Sequence, residues 1–171
     1  MKDKFKAAYM DVARRFADLS SAIRLKVGAI IVKDDRVISI GYNGTPTGWD
    51  NCCEDKEWCS AGGWLDPEEI EAMWPYEGTY LDADGNEMRG RYRLVTKPEV
   101  LHAERNALDK LARQGGIGGD DACMFVTHAP CLECAKSIYG AGIKELYYAE
   151  SYRSDDGVDF LKRAGVLVEK I

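Results

Sequence analysis

The chain has 171 residues, 46% hydrophobic and 30% charged, with a net charge of −6. That length predicts one domain over residues 1–171, large enough to bury a core. The acidic balance and the lack of a Lys/Arg run argue against polynucleotide binding, which calls for a basic face; a small nucleotide needs only a local cation or a few amides. Met1-Lys2-Asp3-Lys4 leads to no apolar segment of the signal-peptide kind, and no stretch approaches the length of a membrane span. The cysteines, at 52, 53, 59, 123, 131 and 134, do not form a disulfide framework. A reducing cytoplasm is the expected compartment.

Phe5, Tyr9, Val12, Ala13 and Phe16 follow helical spacing and predict an amphipathic helix over roughly 3–19. Residues 27–32 read as a strand, Lys33-Asp34-Asp35 as a turn, and 36–42 as the returning strand. Folding about Asp34 and Asp35 places Val27 beside Tyr42 and Lys26 beside Asn43. Residues 49–98 then lose any clear period and read as an insertion. They hold Trp49, Trp58, Trp64, Trp74 and three cysteines. Within them Asp66-Pro67-Glu68-Glu69 starts a helix to about Met73, while Asp84-Gly85 and Arg89-Gly90 read as turns. A long irregular insertion in a compact domain is usually functional. Cys52, Cys53 and Cys59 are read as buried thiols, with a second metal as the minor alternative because no His is near.

A helix is expected from near Pro98 through Leu111 and Ala112. Gly115–Gly119 reads as a flexible connection and Cys123–Thr127 as a buried strand. A helix from Cys131 to about Ala141, a strand at 145–149, a helix at 156–164 and a strand at 166–168 complete the chain. The order implies an α/β fold with a mixed sheet: an antiparallel opening pair, then β-α-β units with helices on both faces.

The chemistry gathers in His102-Ala103-Glu104 and Pro130-Cys131-Leu132-Glu133-Cys134. One imidazole and two thiolates are three ligands for a tetrahedral Zn²⁺, and the open fourth position marks a catalytic site. Water held there loses its proton near neutral pH. Glu104 is a hard oxygen base beside soft ligands, suited to moving protons. Pro130 fits a first helical position, which puts Cys131 and Cys134 on one face of a first turn whose positive end favours thiolates. His102 and Glu104, two residues apart, converge only if the metal lies off a helix start. A lone C-x-x-C also fits a redox pair or half of a structural zinc site. His128 is read as a polar residue at the rim of the site rather than a ligand.

The pairing of H-x-E with P-C-x-x-C is the signature of zinc-dependent nucleobase deaminases. With Val27-Gly28-Ala29, Gly41 through Pro46, and His102 through Ala107, the chain resembles the cytidine deaminase superfamily, and within it the deoxycytidylate (dCMP) deaminases. The narrower likeness rests on the Gly-Tyr-Asn-Gly loop, Cys52-Cys53 and the insertion; much of 54–98 is not covered by it. The resemblance implies a three-layer α-β-α fold with a five-stranded mixed sheet and deamination of dCMP to dUMP for thymidylate synthesis. It also implies a homohexamer, activated by dCTP and inhibited by dTTP, with Mg²⁺ accompanying the triphosphate. By similarity, His102, Cys131 and Cys134 bind zinc and Glu104 shuttles protons to cytosine N3 and the leaving amine. Asn43 resembles the sugar-contacting Asn and Tyr152 the aromatic lining the base pocket; Ala103 is assigned to the substrate with them. Arg24 and Lys26 are candidates for phosphate contact. An effector nucleotide is assigned to Arg24, Tyr42, Gly44 and Asn51. The competing readings are a zinc deaminase for another cytosine nucleoside or nucleotide, and a non-enzymatic zinc module.

Overall fold

The computed structural model describes residues 1–60, 65–115 and 118–171. Trp64 and the centre of the Gly115–Gly119 connection lie outside them. The elements are α1 (Asp3–Ala17), β1 (Gly28–Lys33), β2 (Arg36–Tyr42), β3 (Glu54–Trp58), α2 (Pro67–Met73), β4 (Tyr76–Leu81) and β5 (Glu87–Thr96), followed by α3 (Ala103–Arg113), β6 (Cys123–His128), α4 (Leu132–Gly140), β7 (Glu145–Glu150), α5 (Asp156–Arg163) and β8 (Leu167–Lys170).

Five strands form one sheet in the order β2-β1-β6-β7-β8. β1 is antiparallel to both neighbours, and β6, β7 and β8 run parallel. Parallel neighbours need crossovers, and α4 and α5 supply them. Alternation along the strands splits the core between two faces. Ile30, Val32, Phe125 and Tyr147 pack with Met10 and Ala13 of α1. Ala29, Ile31, Met124, Val126 and Leu146 pack with α3, α4 and α5 through Ala107, Leu111, Ile138 and Leu161. The result is the expected three-layer α-β-α arrangement. Each large apolar side chain buried here contributes about 1.5–3 kcal/mol, and Phe125 and Tyr147 also stack, with ring centroids 4.8 Å apart.

The β1–β2 register differs from the expected one. Asp34 and Asp35 do make the tight turn, both with positive φ (50° and 58°). A bulge between Ile31 and Val32 then shifts the pairing, so Gly28, not Val27, faces Tyr42. One strand carries an extra residue, and everything beyond moves by one position. The Asn43 N–H donates to the Val27 carbonyl (3.1 Å), which leaves Lys26 further out and exposed.

The insertion has more structure than its sequence suggests. β3, β5 and β4 form a separate antiparallel sheet in that order. Arg89-Gly90, expected as a turn, lies inside β5, with Gly90 opposite Gly78. Those two glycines leave room for Trp58 and Tyr80, whose rings sit 4.6 Å apart. A Cβ on Gly90 would lie 3.2 Å from the Tyr80 ring. Charged residues on the alternate positions hide the period, but cross-strand pairs such as Arg91–Glu77 (3.0 Å) hold the strands in register. The Asp84-Gly85 turn and α2 fall where expected. Asp66 and Glu69 cap α2 reciprocally.

Candidate metal centre and active site

Two helix starts make the centre. α3 begins at Ala103, not near Pro98, and His102 is its N-cap, with extended backbone (φ −70°, ψ 151°). Val100 and Leu101 are apolar for other reasons. Val100 is buried with Ala22 and Cys53. Leu101 exchanges backbone hydrogen bonds with Gly44: its N–H donates at 2.9 Å and its carbonyl accepts at 3.2 Å. This extended approach lets the His102 side chain leave the axis while Glu104 sits in the first turn, so residues two apart meet at one point.

α4 likewise begins at Leu132, with Cys131 as its extended N-cap (φ −67°, ψ 166°) and Pro130 before it. The expected first-turn placement of Cys131 is therefore off by one position. As an N-cap it makes no side-chain capping bond, but its sulfur still meets Cys134. His102 Nδ1 lies 3.7 Å from Cys131 Sγ and 3.4 Å from Cys134 Sγ. Ideal tetrahedral zinc with Zn–N and Zn–S bonds of ordinary length would separate such ligand atoms by about 3.6 Å. Among the described residues this trio is the only His/Cys/Asp/Glu group close enough to hold a metal. The Cys131 thiol is held down to about 3 by hydrogen bonding to the Cys134 thiol and to His102. The Cys134 thiol is pushed up by the same Cys131 contact and by burial. Two adjacent sulfurs alone share one negative charge, and a divalent cation is the partner that lets both ionise. The residues fit zinc. Cys52 is exposed, Cys59 half-buried and Cys53 buried, with Cys53 Sγ 3.2 Å from Ser21 Oγ.

Glu104 is 4% exposed. Burial pushes its carboxyl up to about 7, against hydrogen bonding to its own backbone and the nearby His102. The same helix start thus carries a candidate metal ligand and, two residues on, a buried carboxyl. Gly41 permits this closeness: a Cβ there would lie 2.1 Å from the Ala103 carbonyl oxygen. β2 can press against the first turn of α3 only without a side chain at that position.

A cavity of about 410 Å³ opens onto two of the trio, His102 and Cys131. Ala103, Glu104, His128 and Ala129 line it with them. Asn43, Tyr152 and Arg24 also line it, whereas Lys26, Tyr42, Gly44 and Asn51 do not. Arg24, grouped from the sequence with an effector pocket, therefore stands at the cavity of the metal trio. The Asn43 amide is a clamp: Oδ1 accepts from the Val27 N–H (2.8 Å) and Nδ2 donates to the Leu25 carbonyl (2.8 Å). His128 is half-buried, with Nδ1 3.2 Å from Thr127 Oγ1, and burial lowers its pKa. Tyr42 lies elsewhere: its carbonyl accepts from Asn106 Nδ2 (2.9 Å), and the Lys110 ammonium is 5.3 Å from its ring. Glu54, Thr96, Ser151 and Arg153 also line the cavity. Sequence reasoning missed these four, since none belongs to a motif; adjacency to Tyr152 was the one pointer, to Ser151 and Arg153.

No helix among the described residues is long and apolar enough to cross a membrane. Residues 3–150 match the family described as the cytidine and deoxycytidylate deaminase zinc-binding region. The chain is 36% identical to the deoxycytidylate deaminase of Enterobacteria phage T4, over 93% of this chain and 86% of that one. It is 31% identical to the deoxycytidylate deaminase of Mycobacterium phage D29, over 82% of this chain and 90% of that one. A crystal structure of dCMP deaminase from cyanophage S-TIM5, in complex with dCMP and dUMP, superposes with a TM-score of 0.74 at 38% identity, covering 100% of this chain and 99% of that one. Paired helix starts presenting a His/Cys/Cys trio and a buried glutamate, matched along most of the chain, place this protein in the cytidine and deoxycytidylate deaminase family.

Proposed function

We propose that this chain is a zinc-dependent hydrolase converting dCMP and water to dUMP and ammonia. The observation that carries the reading is the placement of Glu104, a buried carboxyl two residues beyond the α3 N-cap His102, in the lining of a nucleotide-sized cavity. Zinc, when bound by His102, Cys131 and Cys134, supplies Lewis-acid activation of water. Glu104 takes the two protons of the attacking water in turn, delivering the first to cytosine N3 and the second to the leaving amine. The C4–O bond forms first, as N3 takes its proton and the C4–N3 double bond becomes single; the exocyclic C4–N bond then breaks as the C4=O bond forms, and the amine leaves as ammonia. Asn43 holds the 25–27 segment against the cavity through its two amide bonds and retains a second N–H for the sugar. Tyr152 flanks the base, and the Ala103 backbone borders it. The 38% identity to a cyanophage enzyme solved with dCMP and dUMP supports this substrate.

The family likeness extends the proposal. The product would feed thymidylate synthesis in the cytoplasm. The working form would be a homohexamer, activated by dCTP and inhibited by dTTP with Mg²⁺ on the triphosphate. Tyr42, Gly44 and Asn51 are the proposed effector contacts, while Lys26 serves as an outer cation. The Gly44–Leu101 bridge supports this, because it links that loop to the residue before His102. The direct test is ammonia release from dCMP and from deoxycytidine, with and without dCTP or dTTP. No release from dCMP by zinc-replete protein would defeat the proposal.

A further inference from the structure

We propose that the aromatic face of the insertion sheet continues the cavity as a stacking platform for bases attached to the 5′ side of the substrate, so that the same site deaminates the 3′-terminal deoxycytidine of a short single strand. The inference rests on the reading that the substrate is a cytosine nucleotide. Directly paired residues in a sheet share a face, and every second residue along a strand returns to it. The pairing of β3, β5 and β4 therefore puts Glu54 and Thr96, then Lys56, then Trp58, Tyr92 and Tyr76 on one face in successive rungs. Glu54 and Thr96 line the cavity together with Glu104. The Trp58–Tyr92 rung lies four residues further on, about 13 Å away at roughly 3.3 Å per residue. One sheet face thus runs without a break from the cavity wall to the rings.

The rings lie down on the sheet. A Cβ on Gly78 would stand 3.2 Å from both Trp58 Cη2 and Tyr92 Cε1, so the Trp58 indole reaches from β3 across β5 to β4. Tyr92 meets it at 5.0 Å between centroids and stacks on Tyr76 at 5.4 Å. Trp58 and Tyr92 are half-buried, and Tyr76 is exposed. A broad π-surface is what bases of any sequence stack on. The charge fits too. Lys56 is exposed, with Nζ 4.6 Å from the Tyr92 ring and 5.9 Å from that of Trp58. Among the described residues it enters no ion pair. Its acidic neighbours turn to the other face and pair there, Asp55 with Lys97 (3.8 Å) and Glu57 with Arg93 (2.5 Å). At the cavity wall, Arg24 Nη1 donates to Thr96 Oγ1 (3.0 Å). A strand leaving the cavity on its 5′, phosphate-bearing side passes these cations before its bases reach the rings. A net charge of −6 disfavours a long polyanion, but a short strand needs only local cations. A proline-rich peptide, another ligand of aromatic grooves, would use neither Lys56 nor the continuity with the cavity. The reaction is unchanged: water supplies the oxygen at C4 of the terminal cytosine, the exocyclic C4–N bond breaks, and ammonia leaves a strand ending in deoxyuridine.

A stacked strand advances about 3.4 Å per nucleotide, and an unstacked one further, so a tetranucleotide spans the distance. The test uses the full-length, zinc-loaded protein and compares dCMP, d(TpTpTpC) and the reversed d(CpTpTpT), with conversion read by mass spectrometry. The wild type should deaminate d(TpTpTpC) and strongly prefer it to d(CpTpTpT). Trp58→Ala and Tyr92→Ala should each lower kcat/KM for d(TpTpTpC) by about fivefold or more, the loss of a base–aromatic stack, while dCMP kinetics and zinc content stay at wild-type values. Lys56→Gln leaves the rings in place; it should also lower d(TpTpTpC) turnover selectively and flatten its salt dependence. Wild-type protein that converts dCMP but not d(TpTpTpC) overturns this inference alone, and protein that converts neither overturns the substrate reading with it. Equal losses on dCMP and d(TpTpTpC) in the ring variants, with no effect of Lys56→Gln, assign the rings to the fold and overturn the platform. A changed assembly mass in Trp58→Ala with unchanged substrate selectivity makes the face a contact between copies, which overturns it as well. So does tryptophan fluorescence that responds to an oligoproline peptide and not to d(TpTpTpC).

Discussion

Gly157, in the first turn of α5, lies against Pro130: a Cβ on Gly157 would come within 2.1 Å of the Pro130 carbonyl oxygen and 2.9 Å of the Cys131 carbonyl carbon. The turn that presents Cys131, a candidate metal ligand, is therefore braced by a helix from later in the chain. Gly157→Ala should force the two apart and cost about 1–3 kcal/mol, the usual penalty of overpacking. Zinc content and thermal midpoint should both fall. Wild-type values for both would show that the contact yields without strain.

Glu104→Gln keeps the shape at the start of α3 and removes the proton carrier. Zinc should remain stoichiometric, while kcat falls by about 10²–10⁴-fold or more. Metal analysis alongside steady-state rates checks this. Near-normal turnover in zinc-replete protein would sink the role given to Glu104.

Cys131→Ser and Cys134→Ser each remove one sulfur from the trio with His102. Metal binding at such a site is coupled to folding, so both variants should lose zinc and unfold at lower temperature. Stoichiometric zinc in either one would mean that its sulfur is not a ligand.

Tyr42 and Asn43 are neighbours with different surroundings: the Tyr42 carbonyl is tied to Asn106 and the Asn43 amide to Leu25 and Val27. An effector at Tyr42 could bias the cavity through Asn43. Tyr42→Ala should then flatten the shifts in half-saturation caused by dCTP and dTTP, a coupling commonly worth about 1–3 kcal/mol. A full wild-type shift in the variant would place the effector elsewhere.

Asp82 closes the β4–β5 turn, accepting from the Asn86 N–H (2.9 Å), Asn86 Nδ2 (3.2 Å) and the Asp84 N–H (2.9 Å). Hydrogen bonds from the Asn86 backbone and side chain hold its carboxyl below the ordinary 3.8. Because the folded value is depressed, its contribution is present above the unfolded value and lost as pH falls through the folded one. NMR titration of the Asp82 carboxyl should give a midpoint below 3.8, and amide exchange at Asp84 and Asn86 should quicken below it. A midpoint at or above that ordinary value contradicts the account.

The residues of the metal trio and Glu104 were legible in the sequence because a zinc site needs particular donor atoms, and few substitutes exist. The layer arrangement was legible because burial on both faces makes β1 and β6 continuous apolar runs, while burial on one face imposes a helical period on the helices. Three matters were decided only by the tertiary structure. The start of α3 moved to Ala103 because Leu101 found a backbone partner in Gly44, and local spacing carries no trace of a distant hydrogen bond. The β1–β2 register slipped because a bulge costs little and leaves no composition signal. The insertion became a sheet whose cross-strand charge pairs and stacked rings are contacts between residues many positions apart. That sheet brings Glu54 and Thr96 to Arg24, so the far end of the cavity is made from residues that no motif connects.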